Sequence, residues 1–405
     1  MSDILAGTRV LEVASWTFVP AAGAVLADWG ADVLKIEHPV SGDPQRGLIS
    51  SGLVPAGAGG VNYMMEQPNR GKRSVALDIA TPGGRELLYQ LAETSDVFLT
   101  NFLPDARQKL HIDVEDIRAR NPRIIYVRGS GQGVRGPDAG KPGYDGSSYW
   151  ARGGVGNALT PGDYAWPIGQ RPAFGDVMGG LTIAGGISAA LFRREKTGEP
   201  SVVDVSLLGL AMWNLGPDVV ASKLYEGVKM PSFNRDDLPN PLVGMYKTGD
   251  GRWIMLMLLQ PDRFWADLCR HLDRPDLIDD PRFKDGPARY ENRRECIALL
   301  REIFASRPFA EWRTRLQTME GAWAPVQNAR ELHDDPQAIA NGYLPQLKTP
   351  EGTTFALVAN PVQFDETAPE LTPAPDHGQH TEEVLLELGL SWEDIIAHKE
   401  AGAIL

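Results

Sequence analysis

Cysteine is nearly missing from this chain. Cys269 and Cys296 are the only two in 405 residues, too few for a disulfide framework or a cysteine-rich zinc site. The amino end, MSDILAGTRVLEV, has no basic stretch leading into an apolar run and a small-residue cleavage site, so no signal peptide is expected. Long apolar runs are scarce as well. The longest near-apolar stretch, Gly180 to Phe192, falls short of the ~18–20 residues that span a bilayer, and its glycine and alanine suit close helix packing. Positive charge is also in deficit, with 40 Lys and Arg against 53 Asp and Glu and a formal charge of −13. That argues against a broad basic face for nucleic acid or an anionic membrane. A single anionic ligand in a local basic pocket stays possible. These absences together point to a reduced, cytoplasmic protein with no metal centre.

What is present is an ordinary globular composition, 42% hydrophobic and 23% charged, long enough for two or three domains. The first hundred residues alternate strand and helix. Val10 to Val13 reads as a strand, Pro20 to Trp29 as a helix and Ala31 to Glu37 as a second strand. Thr81-Pro82 is a strong helix start running to about Glu93, and Asp96 to Thr100 and Arg123 to Val127 are further buried strands. Such alternation predicts a mostly parallel α/β sheet. After about residue 215 the pattern changes. Trp253 to Leu259 reads as a strand among charged helices at Arg263 to Leu272 and Glu291 to Phe304, as in a smaller α+β unit. From about Ala322 the chain is rich in loops, and it closes on a leucine-rich helix near Thr381 to Leu388.

Several motifs do not hold up. Gly131-Gln132-Gly133-Val134-Arg135-Gly136 matches a dinucleotide fingerprint, but that fingerprint needs a helix opening at the glycines. Pro137, Gly140, Pro142 and Gly143 follow instead. Glu37, at the end of the second strand, could hold a ribose hydroxyl but reads better as an exposed strand-end acid. His377 and His380 lack acidic or sulfur partners and read as loop histidines. The two cysteines read as packing residues.

Two clusters are more informative. In Arg171-Pro172-Ala173-Phe174-Gly175-Asp176, a lone carboxylate sits where a strongly apolar helix begins. Helix amino ends favour anions, so Asp176 is expected to be ionised at neutral pH, either as a simple cap or as a nucleophile. Gly179-Gly180 in the next turn would let a ligand approach the backbone, and the N–H groups there are candidate oxyanion donors. The second cluster, Asn69-Arg70-Gly71-Lys72-Arg73-Ser74, could hold phosphate or form a solvated loop.

At these residues the chain resembles the class III CoA-transferases, the family of formyl-CoA and carnitine CoA-transferases that also contains α-methylacyl-CoA racemases. The likeness runs nearly end to end. It is carried by LAGTRVLEV, GADVLKIEHPVSGDPQRG (30–47), NRGKRSVALDIATPGGRELL (69–88) and SDVFLTNFLP (95–104). It continues through GYDGSS (143–148), GDVMGG (175–180), VVDVSLL (202–208), MYKTGDGRWI (245–254), DPRF (280–283) and GQHTEEVLLELGL (378–390).

The resemblance implies that Asp176 is the nucleophilic aspartate, forming an acyl-aspartyl anhydride and then an aspartyl-CoA thioester. It places coenzyme A contacts on Thr17 and Phe18, on His38, on Leu77, Asp78, Ile79 and Ala80, and on Asn101, Phe102 and Leu103. Further contacts would fall on Lys109 and on Gly143, Tyr144 and Asp145. Lys109 and His38 stand where arginine occurs in members of the family, and a family glycine-rich loop has its nearest counterpart in Asn234 to Val243. The partners implied are an acyl-CoA, a carboxylic acid and a second copy in an interlocked homodimer. The implied fold is a Rossmann-like open-sheet large domain built from both termini, residues 1–215 and 326–405, around a smaller α+β domain at 216–325. Racemases of this family carry His in a G-H-D segment, because moving a proton across an α-carbon needs a second titrating group. Here that segment is Gly143-Tyr144-Asp145, and a phenol with pKa ~10 replaces imidazole poorly. CoA transfer is therefore the favoured reading, with a racemase or a catalytically silent CoA-binding protein as alternatives.

Overall fold

The computed structural model describes residues 3–56, 58–162, 164–224, 234–349 and 352–405. They form two compact units. One takes in the described parts of 1–160, 164–226 and 336–405; the other is 227–335 with the short stretch 161–163.

The first unit is built on a six-stranded parallel sheet. Its strands are β1 (Arg9–Val13), β2 (Asp32–Glu37), β3 (Arg73–Ala76), β4 (Val97–Thr100), β5 (Ile125–Ser130) and β6 (Val202–Ser206), in the spatial order β3-β2-β1-β4-β5-β6. Val10 pairs with Val33 on one side and Val97 on the other. The chain runs outward from β1 to β3, then restarts at β4 on the opposite side of β1. Where the winding reverses, loops at the strands' carboxyl ends diverge and leave a crevice.

Successive strand residues point to opposite faces, and both faces are covered. Val10, Val33, Val97, Ile125 and Val127 pack under the first helix, Phe18–Asp28, and the long helix, Phe174–Thr197. Leu11, Leu34, Ile36, Val75 and Phe98 pack on the other side, against helix Pro82–Glu93 and the carboxyl-terminal helices Thr381–Glu387 and Trp392–Glu400. Helix Pro82–Glu93 starts as its sequence suggests, with the Thr81 hydroxyl accepting the Gly84 N–H at 3.0 Å.

The long helix extends beyond the apolar run that marks it in the sequence. By length and composition alone it could cross a bilayer, but Ile183, Ala184 and Ile187 belong to the core. A side chain at Gly180 would stand 2.5 Å from the Ala21 methyl, and one at Gly179 2.3 Å from the Phe18 ring. These glycines therefore serve the contact between two helices, and their N–H groups lie inside the long helix. Neither a ligand's approach nor an oxyanion site fits there.

The basic cluster is neither a phosphate site nor a solvated loop. Arg70 pairs with Asp28 at 2.7 Å, and Arg73 pairs with Asp32 and Glu387. Lys72 is fully buried with its ammonium 2.7 Å from Glu12. Lys35 approaches the same carboxylate at 3.3 Å and Asp43 at 2.8 Å. Burial opposes the Lys35 charge, but Asp43, Glu12 and Glu37 outweigh it and hold the ammonium protonated. Glu37 is likewise buried rather than exposed. Burial would raise its pKa, yet the Arg46 guanidinium and Lys35 hold the carboxyl at about 2.

The second unit has an antiparallel sheet of β7 (Val243–Lys247), β8 (Trp253–Met257) and β9 (Trp323–Pro325). Helices Pro261–His271 and Arg293–Ala305 bury Leu268, Leu300 and both cysteines against it. Cys269 and Cys296 are free thiols in that core.

Glu12→Ala takes the carboxylate partner from buried Lys72 and leaves Lys35 with Asp43 alone, and we expect it to cost about 3–5 kcal/mol of unfolding free energy. Arg120→Ala, which loses only exposed partners such as Glu86, should cost less than ~1 kcal/mol. Urea unfolding of the two variants checks this, and equal losses would contradict the assignment.

Candidate active site

The carboxyl ends of β1, β4 and β5 open onto a cavity of about 640 Å³. Its floor is a clip between two loops. The Asn101 side chain, after β4, accepts the Ser15 N–H at 3.2 Å and donates to the Ser15 carbonyl at 2.7 Å. The next residue, Trp16, takes a left-handed conformation with φ +69°, uncommon for a bulky side chain. Asp43 holds it there by accepting its N–H at 3.1 Å. The Trp16 ring meets Tyr144 edge-on with centroids 5.9 Å apart, so the β1 loop and the segment after β5 form facing walls.

Of the residues expected at the site, Phe18, Asn101, Phe102, Leu103, Gly143, Tyr144 and Asp176 line this cavity. Gly131 and Gly143 cross closely, since a side chain at Gly131 would lie 2.5 Å from the Gly143 Cα. No helix opens at Gly131; residues 131–144 run as loop to a helical segment at Asp145–Arg152.

The other expected residues lie off the cavity wall. Thr17 is buried, its hydroxyl accepting from Gln45 at 2.9 Å. His38 is exposed, with Nδ1 accepting the Val40 and Ser41 N–H groups. Leu77 and Ile79 are buried beyond β3, and Asp78 accepts the Ala80 N–H. Lys109 is exposed on helix Pro104–Leu110. Asp145 is buried and faces the amino end of the long helix.

Two arginines that sequence reasoning passed over do reach the wall, Arg107 and Arg128. Arg107 donates to the Phe102 carbonyl at 2.7 Å and pairs with Asp113, while Arg128 pairs with Asp204 at 2.7 Å. The signal for Arg107 was its place one turn into a helix that opens with Pro104 beside the cavity.

Asp176 is the third residue of the long helix, but it does not cap it. The Asp145 carboxylate accepts the Gly175 N–H at 3.1 and 3.2 Å, and the Phe174 N–H goes to the Arg171 carbonyl at 3.4 Å. One Asp176 oxygen is buried with no hydrogen-bond partner. Burial, and then the nearby Asp145 charge, push the Asp176 pKa up to about 7. The expectation of a fully ionised aspartate is thus corrected, because the N–H groups that would have favoured the anion are taken. A carboxylate unpaired in a half-dry cavity is a stronger base and nucleophile than one in water.

A doubly wound α/β sheet with its cavity at the switch point, and an unbonded carboxylate on the cavity wall, has the form of a ligand-binding enzyme site. The chain belongs to CoA-transferase family III, whose model matches residues 5–381, and it is a CoA-transferase. The (R)-2-hydroxy-4-methylpentanoate CoA-transferase of Clostridioides difficile is 33% identical over 402 residues, covering 99% of each chain. The cinnamoyl-CoA:phenyllactate CoA-transferase of Clostridium sporogenes is 31% identical over 97% of this chain and 95% of its own. A crystal structure of a CAIB/BAIF family protein from Brucella suis superposes with a TM-score of 0.81 at 28% identity, covering 96% of this chain and 100% of that one.

The raised Asp176 pKa has a stability consequence. Ionisation penalises the folded state as pH rises from the unfolded value near 4 through about 7. Asp176→Asn, which mimics the protonated acid, should therefore stabilise the protein by about 1–3 kcal/mol above pH 7, allowing for partial exposure, with no gain below pH ~4. Urea unfolding across this range checks it, and an equal gain at both ends would contradict it.

Proposed function

We propose that the chain moves CoA from an acyl-CoA to a free carboxylic acid through Asp176. The observation that carries this reading is the unbonded Asp176 carboxylate on the cavity wall. The carboxylate attacks the thioester carbonyl, the C–S bond breaks and CoA leaves as thiolate, giving a mixed anhydride. Thiolate then attacks the aspartyl carbonyl of that anhydride, releasing the donor acid and leaving CoA on Asp176 as a thioester. The acceptor carboxylate displaces CoA to form a second anhydride. Attack of the thiolate on its acyl carbonyl yields the new acyl-CoA and restores Asp176. Thioester energy is conserved throughout, so no ATP is consumed.

In this reading coenzyme A lies along the carboxyl edge of the sheet. Its nearest contacts are Phe18, Asn101, Phe102, Leu103, Gly143 and Tyr144, with Arg107 and Arg128 as cations on the wall. Thr17, His38, Leu77 to Ala80 and Lys109 follow or flank the same strand ends and would serve the outlying nucleotide. Trp16, Phe18 and Tyr144 offer an apolar lining for the acyl group. That lining, and the relatives named for 2-hydroxy-4-methylpentanoate and phenyllactate, make 2-hydroxy acids with branched or aryl side chains the first acceptors to assay.

The family's interlocked homodimer fits the apolar side chains left exposed around the long helix. Phe192 is 65% exposed, Trp213 82% and Leu224 79%, large apolar side chains that a partner would cover. Light scattering should give twice the chain mass; a monomer would overturn the assembly.

Asp176→Ala should lower CoA transfer by at least ~10³-fold, as expected for loss of a covalent nucleophile. Hydroxylamine added to wild-type enzyme with acyl-CoA should convert Asp176 to a hydroxamate, read by peptide mass spectrometry. Retained turnover in Asp176→Ala would sink the reading.

A further inference from the structure

We propose that Asp145 is a positioning residue, occupying the Gly175 amide N–H at the amino end of the long helix so that Asp176 cannot turn back onto it. The proposal rests on Asp176 as nucleophile and adds to it the means by which that carboxylate is kept free.

The geometry is specific. Asp145 is 5% exposed and its two oxygens lie 3.1 and 3.2 Å from the Gly175 nitrogen. Gln170 Nε2 stands 3.4 Å from the same carboxylate, and the neighbouring Phe174 N–H is taken by the Arg171 carbonyl at 3.4 Å. A side chain at residue 175 would lie 2.6 Å from the Asp145 carboxylate and 2.4 Å from the Tyr149 ring, so glycine is what admits the acid to the helix end. The helix is entered through Ala173 with φ +57°, a left-handed conformation that costs energy outside glycine.

An aspartate in the first turn of a helix ordinarily bonds free N–H groups and is held ionised by them. Asp176 stands in that turn and has no such bond. The physical reason is competition, since Asp145 takes the Gly175 N–H from the neighbouring segment. Asp176 thereby keeps a bare oxygen at the cavity and the basicity that goes with it. Burial raises Asp145 too, while the Gly175 N–H pulls it back down.

Other charges do not supply this effect. Asp145 is the charged group that acts on Asp176, Tyr149 on the same segment lies against Gly175, and Tyr144 lines the cavity. Across the cavity stand Arg107, Asp113 and Arg128. The two arginines are engaged by Asp113 and Asp204, and the Tyr149 hydroxyl accepts from Asn214 at 2.8 Å. The first helix and helix Leu207–Asn214 meet this end of the long helix with Phe18 and Leu210, which do not titrate.

The test uses the full-length protein with aspartate side-chain carboxyls labelled with ¹³C, Asp176 being assigned by its loss in Asp176→Asn. In Asp145→Asn, which keeps the shape and one acceptor oxygen but not the charge, the Asp176 titration midpoint should fall from about 7 by about one pH unit or more. In Asp145→Ala it should fall towards ~4. The acid limb of single-turnover transfer should move with it, and the rate at pH 8 should drop roughly ten-fold with KM for acyl-CoA unchanged. A midpoint that falls no further in Asp145→Ala than in Asp145→Asn overturns the proposal, because loss of the Asp145 charge alone would then account for it; so does an unmoved pH limb with a raised KM, which would make Asp145 a CoA contact. If Asp145→Ala does not fold, Asp145→Val, which also removes the acceptor oxygens, takes its place. The further fall in Asp145→Ala alongside full turnover in Asp176→Ala would leave Asp145's hold intact and remove the nucleophile reading instead.

Discussion

The structure of the first unit turns on how closely two helices approach. Gly179 and Gly180 bring the long helix against Phe18 and Ala21 with no room for a side chain on either. Asp176 lies one turn earlier, so this contact sets the carboxylate beside Phe18, where the first helix begins and the cavity opens. Further along the same helix, Gly23 would place a side chain 2.0 Å from Glu12 and 2.9 Å from Lys72. The first helix is thus seated against the helix that carries Asp176 at one end and over a buried ion cluster in its middle. Small residues along it let both neighbours come close, a geometry that larger side chains would force apart.

Charge in this protein is local rather than global. A net charge of −13 says little about a site whose cations, Arg107 and Arg128, are individually held by Asp113 and Asp204. The Glu12–Lys35–Lys72 cluster is dry and interior, where each group survives only through its partners. Asp176 is the contrary case. It has burial without a partner, and the same desolvation that would be a liability elsewhere becomes reactivity at a cavity wall. Asp145 makes the difference between those two outcomes by taking the bonds that would otherwise have tamed its neighbour.

Much of this was legible in the amino-acid sequence. Apolar runs mark β1, β2, β4 and β5 within about three residues, and Thr81-Pro82 marks its helix, because burial on both sheet faces and a local cap leave strong one-dimensional patterns. β6 was less visible, since an edge strand is covered on fewer sides and its residues are only partly buried. Asp176 stood out as a lone acid at the head of an apolar helix. Its protonation did not, because the acid that takes the Gly175 N–H lies about thirty residues away in sequence, at Asp145, and only tertiary folding brings the two together. The basic cluster misled for a related reason. Three cations in four residues look like a surface feature until Asp28, Glu12 and Asp32 arrive from other strands and helices to pair with them.

The central claim is that acyl and CoA groups both pass over Asp176, and oxygen exchange tests it directly. If the acceptor carboxylate attacks an aspartyl thioester, one of its oxygens stays behind on Asp176 when CoA recaptures the acyl group. Turnover with an ¹⁸O-carboxyl-labelled acceptor should therefore enrich the peptide containing Asp176 in ¹⁸O, as read by mass spectrometry, and the label should be absent without acyl-CoA. Transfer that leaves the Asp176 peptide unlabelled after many turnovers would contradict the account.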